Sequence, residues 1–423
     1  MEDKFLIQGG TSLTGDIQIS GSKNASLPIL AATLLTPDRC LIYGVPRLAD
    51  IRIMIQMLSG LGAQISMQGH QVAVQARELQ ITEELNQHAR KMRASFLLMG
   101  PLLARHGKAC LALPGGCAIG KRPVDLHLKG LAALGAKITI EKGYVRATAR
   151  RLTGSDIYLE FPSVGATENL MMAATGARGT TTLLNAAAEP EIVDLACFLK
   201  KLGAKITGAG TRVVKIEGSR SLHGAAHTVI PDRIEAGTYM VAAVATGGRV
   251  RLLKVIPAHL RSVIAKLRKT GAEIEKGRDE LLVAATCKST PLQIRTSPYP
   301  GFPTDLQPQF AALLTTVTGT SRIVETVFEE RFLYTEELRR MGASIEVSGP
   351  KALIRGVERL YPAQVKVPDL RAGAALVIAA LKAWGETEIN CVHHLDRGYE
   401  GIEEKLRGLG ARIRRVTEQA ANL

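Results

Sequence analysis

A Gly-Ala pair, always followed by x-Ile and in five of six cases preceded by Leu or Met, recurs six times along this 423-residue chain. The glycines are Gly62, Gly135, Gly203, Gly271, Gly342 and Gly410, separated by 73, 68, 68, 71 and 68 residues. Self-similarity at a fixed period marks one supersecondary unit used repeatedly, each copy burying its apolar face against its neighbours. Every pair closes a stretch of helical periodicity, such as 192–202 or 402–409, and opens a short alternating one, such as Ala204-Lys-Ile-Thr. The glycine therefore reads as a left-handed helix cap, after which the chain turns into a strand.

Counting back 38 residues from five of the glycines reaches Asn24, Gly165, Arg233, Thr304 and Ala372, each at the front of a second Ala/Leu-rich segment. Those segments, 25–35, 166–174, 234–245, 306–317 and 373–383, predict a second helix in each repeat. In the second repeat the equivalent segment begins near Arg93, 42 residues before Gly135, so four extra residues are expected there, coinciding with the Gly115-Gly116-Cys117 loop. Six units of strands plus two helices make three and three, with a seam near residue 229.

Polar residues gather where these helices are expected to start: Lys23-Asn24, Arg93, Ser163-Val164-Gly165, Asp232-Arg233, Thr304-Asp305 and Asp369-Leu-Arg371. Asp, Ser, Thr and Asn there are ordinary caps. Lys23, Arg93, Arg233 and Arg371 are different, since a cation opposes the helix dipole unless a carboxylate or an anionic ligand offsets it. Arg122 and Arg397 each lie 13 residues before a capping glycine, and both are expected to aim a guanidinium at a helix N-terminus, a geometry suited to phosphate or carboxylate.

Composition narrows the function classes. With 46% hydrophobic residues the chain has enough apolar surface for real cores, and no apolar run nears the roughly 18 residues a membrane span needs. The early charges at Glu2, Asp3 and Lys4 argue against a secretory leader, so a cytoplasmic address is expected. A net charge of +15 favours anionic partners, but at 4% the aromatics are too sparse for a nucleic-acid stacking surface. The six cysteines, Cys40, Cys110, Cys117, Cys197, Cys287 and Cys391, contain no C-x-x-C pair, and most are expected to be buried. Cys117 stands apart, between glycines and before Lys121-Arg122, an electropositive setting that makes a thiol reactive. The stretch from Gly115 to Arg122 matches G-x-x-x-x-G-K but carries Arg where a P-loop needs Ser or Thr. His223 and His227 are expected in a solvated loop and His393-His394 at a strand end, neither as a metal site.

Longer motifs carry a resemblance. Gly21-Ser-Lys23-Asn24-Ala, Lys91-Met-Arg93-Ala-Ser, Leu113-Pro-Gly-Gly-Cys117-Ala-Ile-Gly, Arg122-Pro-Val-Asp-Leu-His127, Ser163-Val-Gly-Ala-Thr, Glu189-Pro-Glu-Ile-Val-Asp194, Pro231-Asp-Arg-Ile-Glu235, Phe302-Pro-Thr-Asp305, Phe328-Glu-Glu-Arg-Phe332, Asp369-Leu-Arg371-Ala and Asp396-Arg397-Gly-Tyr-Glu400 resemble the UDP-N-acetylglucosamine 1-carboxyvinyltransferase family of enolpyruvyl transferases, from the first residues to about Ile413. The resemblance implies an inside-out, barrel-like α/β fold of two domains built from six repeats of about 70 residues, helices inside and sheets outside. Residues 22–229 would form one domain and 1–21 with 230–423 the other, the first strand joining the C-terminal domain and the substrates lying in the cleft between them.

The implied reaction moves the enolpyruvyl group of phosphoenolpyruvate to the 3-hydroxyl of UDP-N-acetylglucosamine, releasing phosphate, the first committed step of peptidoglycan synthesis, with no metal or organic cofactor. By the same resemblance Cys117 protonates the methylene carbon and can form a covalent adduct, and Asp305 takes the hydroxyl proton. Lys23, Asn24, Arg122 and Arg397 would hold phosphoenolpyruvate. Asn24, Arg93, Arg122, Pro123, Val124, Asp125, Leu126, Phe161, Pro162, Ser163, Val164, Asp305 and Val327 would hold the nucleotide sugar. Gly165, Asp232, Asp369 and Arg371 would support the reacting centre. A thiol that must donate a proton sits in tension with a basic setting that favours thiolate, so its protonation is expected to change as substrates bind. Ala49, Ala188, Glu330 and Gly373 depart from the family pattern, and none falls on the implied acid or base. Small-molecule partners are expected, without nucleic acid or membrane insertion, and the oligomeric state is left open. A transferase acting on shikimate 3-phosphate, and a basic nucleic-acid-binding protein of the same repeat, are the competing readings.

Overall fold

A computed structural model describes residues 3–80, 92–113, 124–219 and 221–417. By contact these divide into two compact units, one within 21–230 and one of 3–20 with 231–417. The first unit holds helices α1 (Lys23–Ala32), α2 (Ala49–Gly60), α3 (Met99–His106), α4 (Asp125–Ala133), α5 (Val164–Thr175) and α6 (Pro190–Lys201). The second holds α7 (Arg233–Ala245), α8 (Arg261–Lys269), α9 (Gln307–Leu314), α10 (Tyr334–Arg340), α11 (Leu370–Lys382) and α12 (Ile402–Gly408).

The two helices of each repeat differ in kind. In α1, α5, α7, α9 and α11 nearly every residue is buried, on all sides of the helix. Sequences such as Leu370-Arg-Ala-Gly-Ala-Ala-Leu-Val-Ile-Ala-Ala permit this, because small residues let neighbouring helices approach and an all-round apolar surface is stable only inside a core. These helices pack on one another within their units, α9 against α7 and α11, and α5 against α3. The partner helices are one-sided: α8 buries Val263, Ile264 and Leu267 and turns its basic residues outward.

Sheets flank the helices. The first unit has β13-β3-β5-β4 (Ala226–Thr228, Cys40–Tyr43, Gln71–Gln75, Gln64–Gln68), β6-β8-β7 (Lys108–Ala112, Tyr144–Thr148, Lys137–Glu141) and β11-β12-β10-β9 (Lys205–Thr207, Val213–Glu217, Thr180–Leu184, Asp156–Tyr158). The second has β15-β16-β14-β2 (Glu273–Lys276, Glu280–Ala284, Arg249–Leu253, Thr14–Gln18), β17-β18-β20-β19 (Gln293–Arg295, Thr320–Val324, Lys351–Arg355, Ser344–Ser348) and β21-β22-β1-β23 (Gln364–Lys366, Glu386–Asn390, Asp3–Gln8, Arg412–Thr417). Each four-stranded sheet has one parallel edge pairing and two antiparallel ones. Burial alternates along the strands, as in β12 and β14, so one face meets the helices and the other meets water. Here helices are the core and sheets the wall, as the resemblance implied.

Pairing between strands distant in sequence closes each unit. β1 pairs with β22 and β23, and β2 pairs in parallel with β14, so residues 3–18 complete the second unit. In the first unit, β13 returns to the edge of β3.

All six repeat glycines have positive φ, between 89° and 103°, and each is followed within two residues by a strand: β4, β7, β11, β15, β19 or β23. The cap reading of the repeat is therefore correct in every copy. Two details differ from expectation. The segments at Arg93 and Thr304 begin as 3-10 turns, Arg93–Leu98 and Thr304–Leu306, before α3 and α9. Of the five described cysteines only Cys40 and Cys391 are buried, while Cys197 and Cys287 are exposed. At Gly410 φ is +94° and an added Cβ would meet open space, so Gly410→Ala isolates the backbone effect. It is expected to cost about 1–2 kcal/mol in urea unfolding, and an unchanged midpoint would remove the cap from the stability of the repeat.

Candidate active site

Two groups of the sequence-selected residues assemble, one within each unit. In the first unit Lys23 opens α1 behind its cap Ser22, whose Oγ accepts from Ala25 N at 3.3 Å. The cation at this N-terminus is offset from within the protein: its Nζ lies 2.9 Å from Oδ2 of Asp50, a buried residue in the first turn of α2. Asn24 follows, half-buried. Val124 caps α4, and Asp125 and Leu126 form its first turn. Phe161 and Pro162 lead into α5, where Ser163 is the cap and its Oγ accepts from Ala166 N. Val164 and Gly165 begin the helix.

His127 joins these two turns. A Cβ at Gly165 would stand 3.3 Å from the His127 ring, a tight contact that glycine relieves. The side-chain amide of Asn169 then fixes the ring: Nδ2 lies 3.0 Å from His127 Nδ1 and donates to Phe96 O at 2.9 Å, while Oδ1 accepts from Gly100 N at 2.6 Å. His127 stood in a quoted motif, but nothing in that motif reveals its partner 42 residues on.

One turn into α5, Glu168 is buried with Glu189 and Glu191 nearby at the start of α6. Burial first, then the charges of Glu191 and Glu189, push its carboxyl well above the ordinary range. A carboxyl that stays protonated in the fold stabilises fully below the ordinary value of 4.5 and loses that contribution as pH rises toward the folded pKa. Glu168→Gln is therefore expected to be more stable than the parent at about pH 8, with the gap narrowing on acidification in thermal unfolding. A pH-independent difference would contradict a proton on Glu168.

In the second unit the centre is Asp305, in the 3-10 turn that leads into α9. Its Oδ1 accepts from Arg331 Nη2 at 3.0 Å and its Oδ2 from Arg371 Nη2 at 3.1 Å. Both guanidiniums are almost wholly buried, whereas the Asp305 side chain keeps 28% exposure. Burial alone would lower the Arg371 pKa, but the Asp305 carboxylate and then Tyr399 outweigh it and raise it above the ordinary arginine value. Arg371 also lies over the Tyr399 ring, 5.5 Å from its centroid. The cation at the start of α11 is thus offset by a carboxylate, as with Lys23.

The surrounding groups lock this turn. Asp369 caps α11, its Oδ1 accepting from Arg371 N at 2.8 Å and Ala372 N at 3.1 Å, and Asp232 caps α7 in the same manner. Gln309 Nε2 donates to Asp305 O at 3.0 Å and to Tyr399 OH at 3.1 Å. Glu325 accepts from Val327 N at 2.8 Å through Oε1 and from Thr304 Oγ1 at 3.0 Å through Oε2, so one carboxylate ties the Val327 turn to the residue before Asp305. Arg331, Glu325 and Gln309 were not singled out from sequence. Arg331 lay inside a quoted motif, but nothing in its 26-residue offset from Asp305 follows the repeat.

Three sequence expectations need correction. Arg397 does not precede a helix N-terminus; it ends the 3-10 turn Val392–Arg397, and α12 begins only at Ile402 because Gly401, at φ +54°, is its cap. His393 and His394 belong to that same turn rather than to a strand end, since β22 stops at Asn390. Burial first, then His393 and Arg397, hold the His394 imidazole below its ordinary range. His227 is buried in β13, its Nε2 2.9 Å from Asp194 Oδ1, and is not in a solvated loop. Cys117, Arg122 and Pro123, with the Gly115–Lys121 stretch, lie outside the described residues. Among the described residues no group of three or more His, Cys, Asp or Glu side chains is arranged to hold a metal.

The family described as EPSP synthase (3-phosphoshikimate 1-carboxyvinyltransferase) matches residues 7–406. UDP-N-acetylglucosamine 1-carboxyvinyltransferase 2 of Carboxydothermus hydrogenoformans is 57% identical over 418 residues, covering 98% of this chain and all of its own. UDP-N-acetylglucosamine 1-carboxyvinyltransferase 1 of Caldanaerobacter subterraneus is 54% identical over 415 residues, with 98% and 100% covered. Among solved structures, the enolpyruvyl transferase NikO from Streptomyces tendae aligns with a TM-score of 0.90 at 27% identity, covering 99% of this chain and 100% of its own. EPSP synthase from Acinetobacter baumannii shares the fold at a TM-score of 0.75 and 18% identity, with 99% and 100% covered. The fold and repeat are those of a carboxyvinyltransferase. Within that class the chain belongs to the family of the UDP-N-acetylglucosamine 1-carboxyvinyltransferases.

Proposed function

We propose that this chain transfers the enolpyruvyl group of phosphoenolpyruvate to the 3-hydroxyl of UDP-N-acetylglucosamine with release of phosphate, the first committed step of peptidoglycan synthesis, in the cytoplasm. The observation that carries the reading is a partly exposed Asp305 carboxylate fixed between two buried arginines, in a chain 57% identical to an enzyme of that name. Two cations within hydrogen-bond distance hold a carboxylate ionised and in one orientation, as a proton acceptor for a hydroxyl requires.

The reaction needs a proton delivered to carbon and another removed from oxygen. Cys117 gives its thiol proton to the methylene carbon, the sugar hydroxyl adds to the adjacent carbon, and Asp305 takes the hydroxyl proton. Phosphate then leaves, and loss of a proton from the new methyl restores the double bond. Lys23, Asn24, Arg122 and Arg397 hold the phosphoenolpyruvate. Arg93, Pro123, Val124, Asp125, Leu126, Phe161, Pro162, Ser163, Val164 and Val327, together with Asn24, Arg122 and Asp305, hold the nucleotide sugar. Asp232, Asp369, Arg371 and Gly165 shape the turns that carry them. The cations among these residues balance the negative charge of a diphosphate and an enolpyruvyl phosphate.

Phosphate release measured with each acceptor tests the assignment. Turnover is expected with UDP-N-acetylglucosamine and not with shikimate 3-phosphate at equal concentration. The reverse preference would assign the chain to the other branch of the fold.

A further inference from the structure

Arg415 lies on β23, opposite Phe5 of β1, on a wall sheet rather than at a helix start. Its guanidinium contacts three other elements, the 392–397 turn, α12 and β1. Nη2 and Nη1 donate to the two carboxylate oxygens of Asp396 at 2.6 and 3.0 Å, Nε donates to Glu403 Oε1 at 2.6 Å, and Nη1 also reaches Asp3 Oδ2 at 3.2 Å. The plane lies over the Phe5 ring at 4.9 Å. Hydrogen bonds to Asp396, opposed by burial and reinforced by Glu403, raise its pKa above the ordinary arginine value. Only arginine can make the two-pronged contact and the third bond together; lysine has a single nitrogen.

The residue that follows Asp396 is Arg397, assigned above to phosphoenolpyruvate. Its other flank is fixed as well. A Cβ at Gly398 would come within 2.6 Å of Leu370 Cδ2, so the backbone there is pressed onto the first turn of α11. Tyr399 is buried under Arg371, with its hydroxyl 3.0 Å from Thr238 Oγ1. Arg397 is thus one residue held between two anchors: Asp396 tied to the wall sheet, and Gly398-Tyr399 packed on the inner helices.

We propose that Arg415 is a positioning residue for Arg397, acting through Asp396 to set where the phosphoenolpyruvate-binding guanidinium stands. The inference rests on the reading of Arg397 given above. With the clamp opened, the Asp396 carboxylate is released beside Arg397, where it competes with an anionic substrate, and the turn 392–397 loses its tie to β23.

Full-length Arg415→Lys and Asp396→Asn test this by steady-state kinetics, with Arg397→Lys as the reference. Both clamp variants are expected to raise KM for phosphoenolpyruvate by about 10-fold, the scale of a small misplacement of a binding group. KM for UDP-N-acetylglucosamine should stay within about twofold and the thermal midpoint within about 4 °C, which separates positioning from a general loss of structure. The double variant should be no worse than either single one, because both open the same clamp. If Arg397→Lys raises the phosphoenolpyruvate KM while the clamp variants leave it alone, or move both KM values together, Arg415 is only structural and the inference fails. If Arg397→Lys itself leaves that KM unchanged, the assignment of Arg397 fails first and takes the inference with it.

Discussion

A helix buried on every side can offer water only its ends. In both units the helices α1, α5, α7, α9 and α11 are enclosed by neighbouring helices and by the wall sheets, so their polar chemistry is confined to the N-terminal turns. Those turns also carry unpaired backbone N–H groups and the positive end of the dipole. Ser22, Ser163, Asp232 and Asp369 use that position for capping, while Lys23, Asp305 and Arg371 use it for charge.

Charge placed there has to be matched inside the protein. A cation at a helix start is disfavoured by the dipole, and a buried ion left alone costs several kcal/mol. The structure meets both demands by pairing: Lys23 with Asp50, and Arg371 and Arg331 with Asp305. Asp305 is the member of its group with most exposure, so the two arginines serve as a fixed frame and the carboxylate as the working face. Glu325 and Gln309 hold the backbone on either side of that frame. The protein spends buried polar groups on orientation, which is what proton transfer at a defined atom requires.

The repeat was readable because its signal is local. Glycine at positive φ after a helix and alternating residues after the glycine are visible in any short window, and all six copies fold as read. Cap residues were equally readable. The partners of the charged residues were not: Asp50, Arg331 and Arg415 are 27, 26 and 19 residues from Lys23, Asp305 and Asp396, and none of these offsets follows the repeat. Arg397 was misplaced for a related reason. Its match to Arg122 in register suggested a helix start, but the 3-10 turn runs on to Arg397 and Gly401 delays the helix to Ile402, with Gly398 packed against the Leu370 side chain between them. His227 was misjudged because Gly224, Ala225 and Ala226 suggest a loop, whereas pairing with β3 and a bond to Asp194 make it part of the wall.

The account turns on Asp305 as an oriented proton acceptor rather than as a structural counter-ion for its two arginines. Asp305→Asn keeps the size and hydrogen-bonding reach of the side chain but removes the proton-accepting charge, so the direct measurement is its single-turnover rate with both substrates bound, alongside their binding constants. A fall of about 10²- to 10⁴-fold in the chemical step, with both substrates still bound, is the predicted result. A chemical step at the parent rate would show that the proton goes elsewhere and would overturn the role given to Asp305.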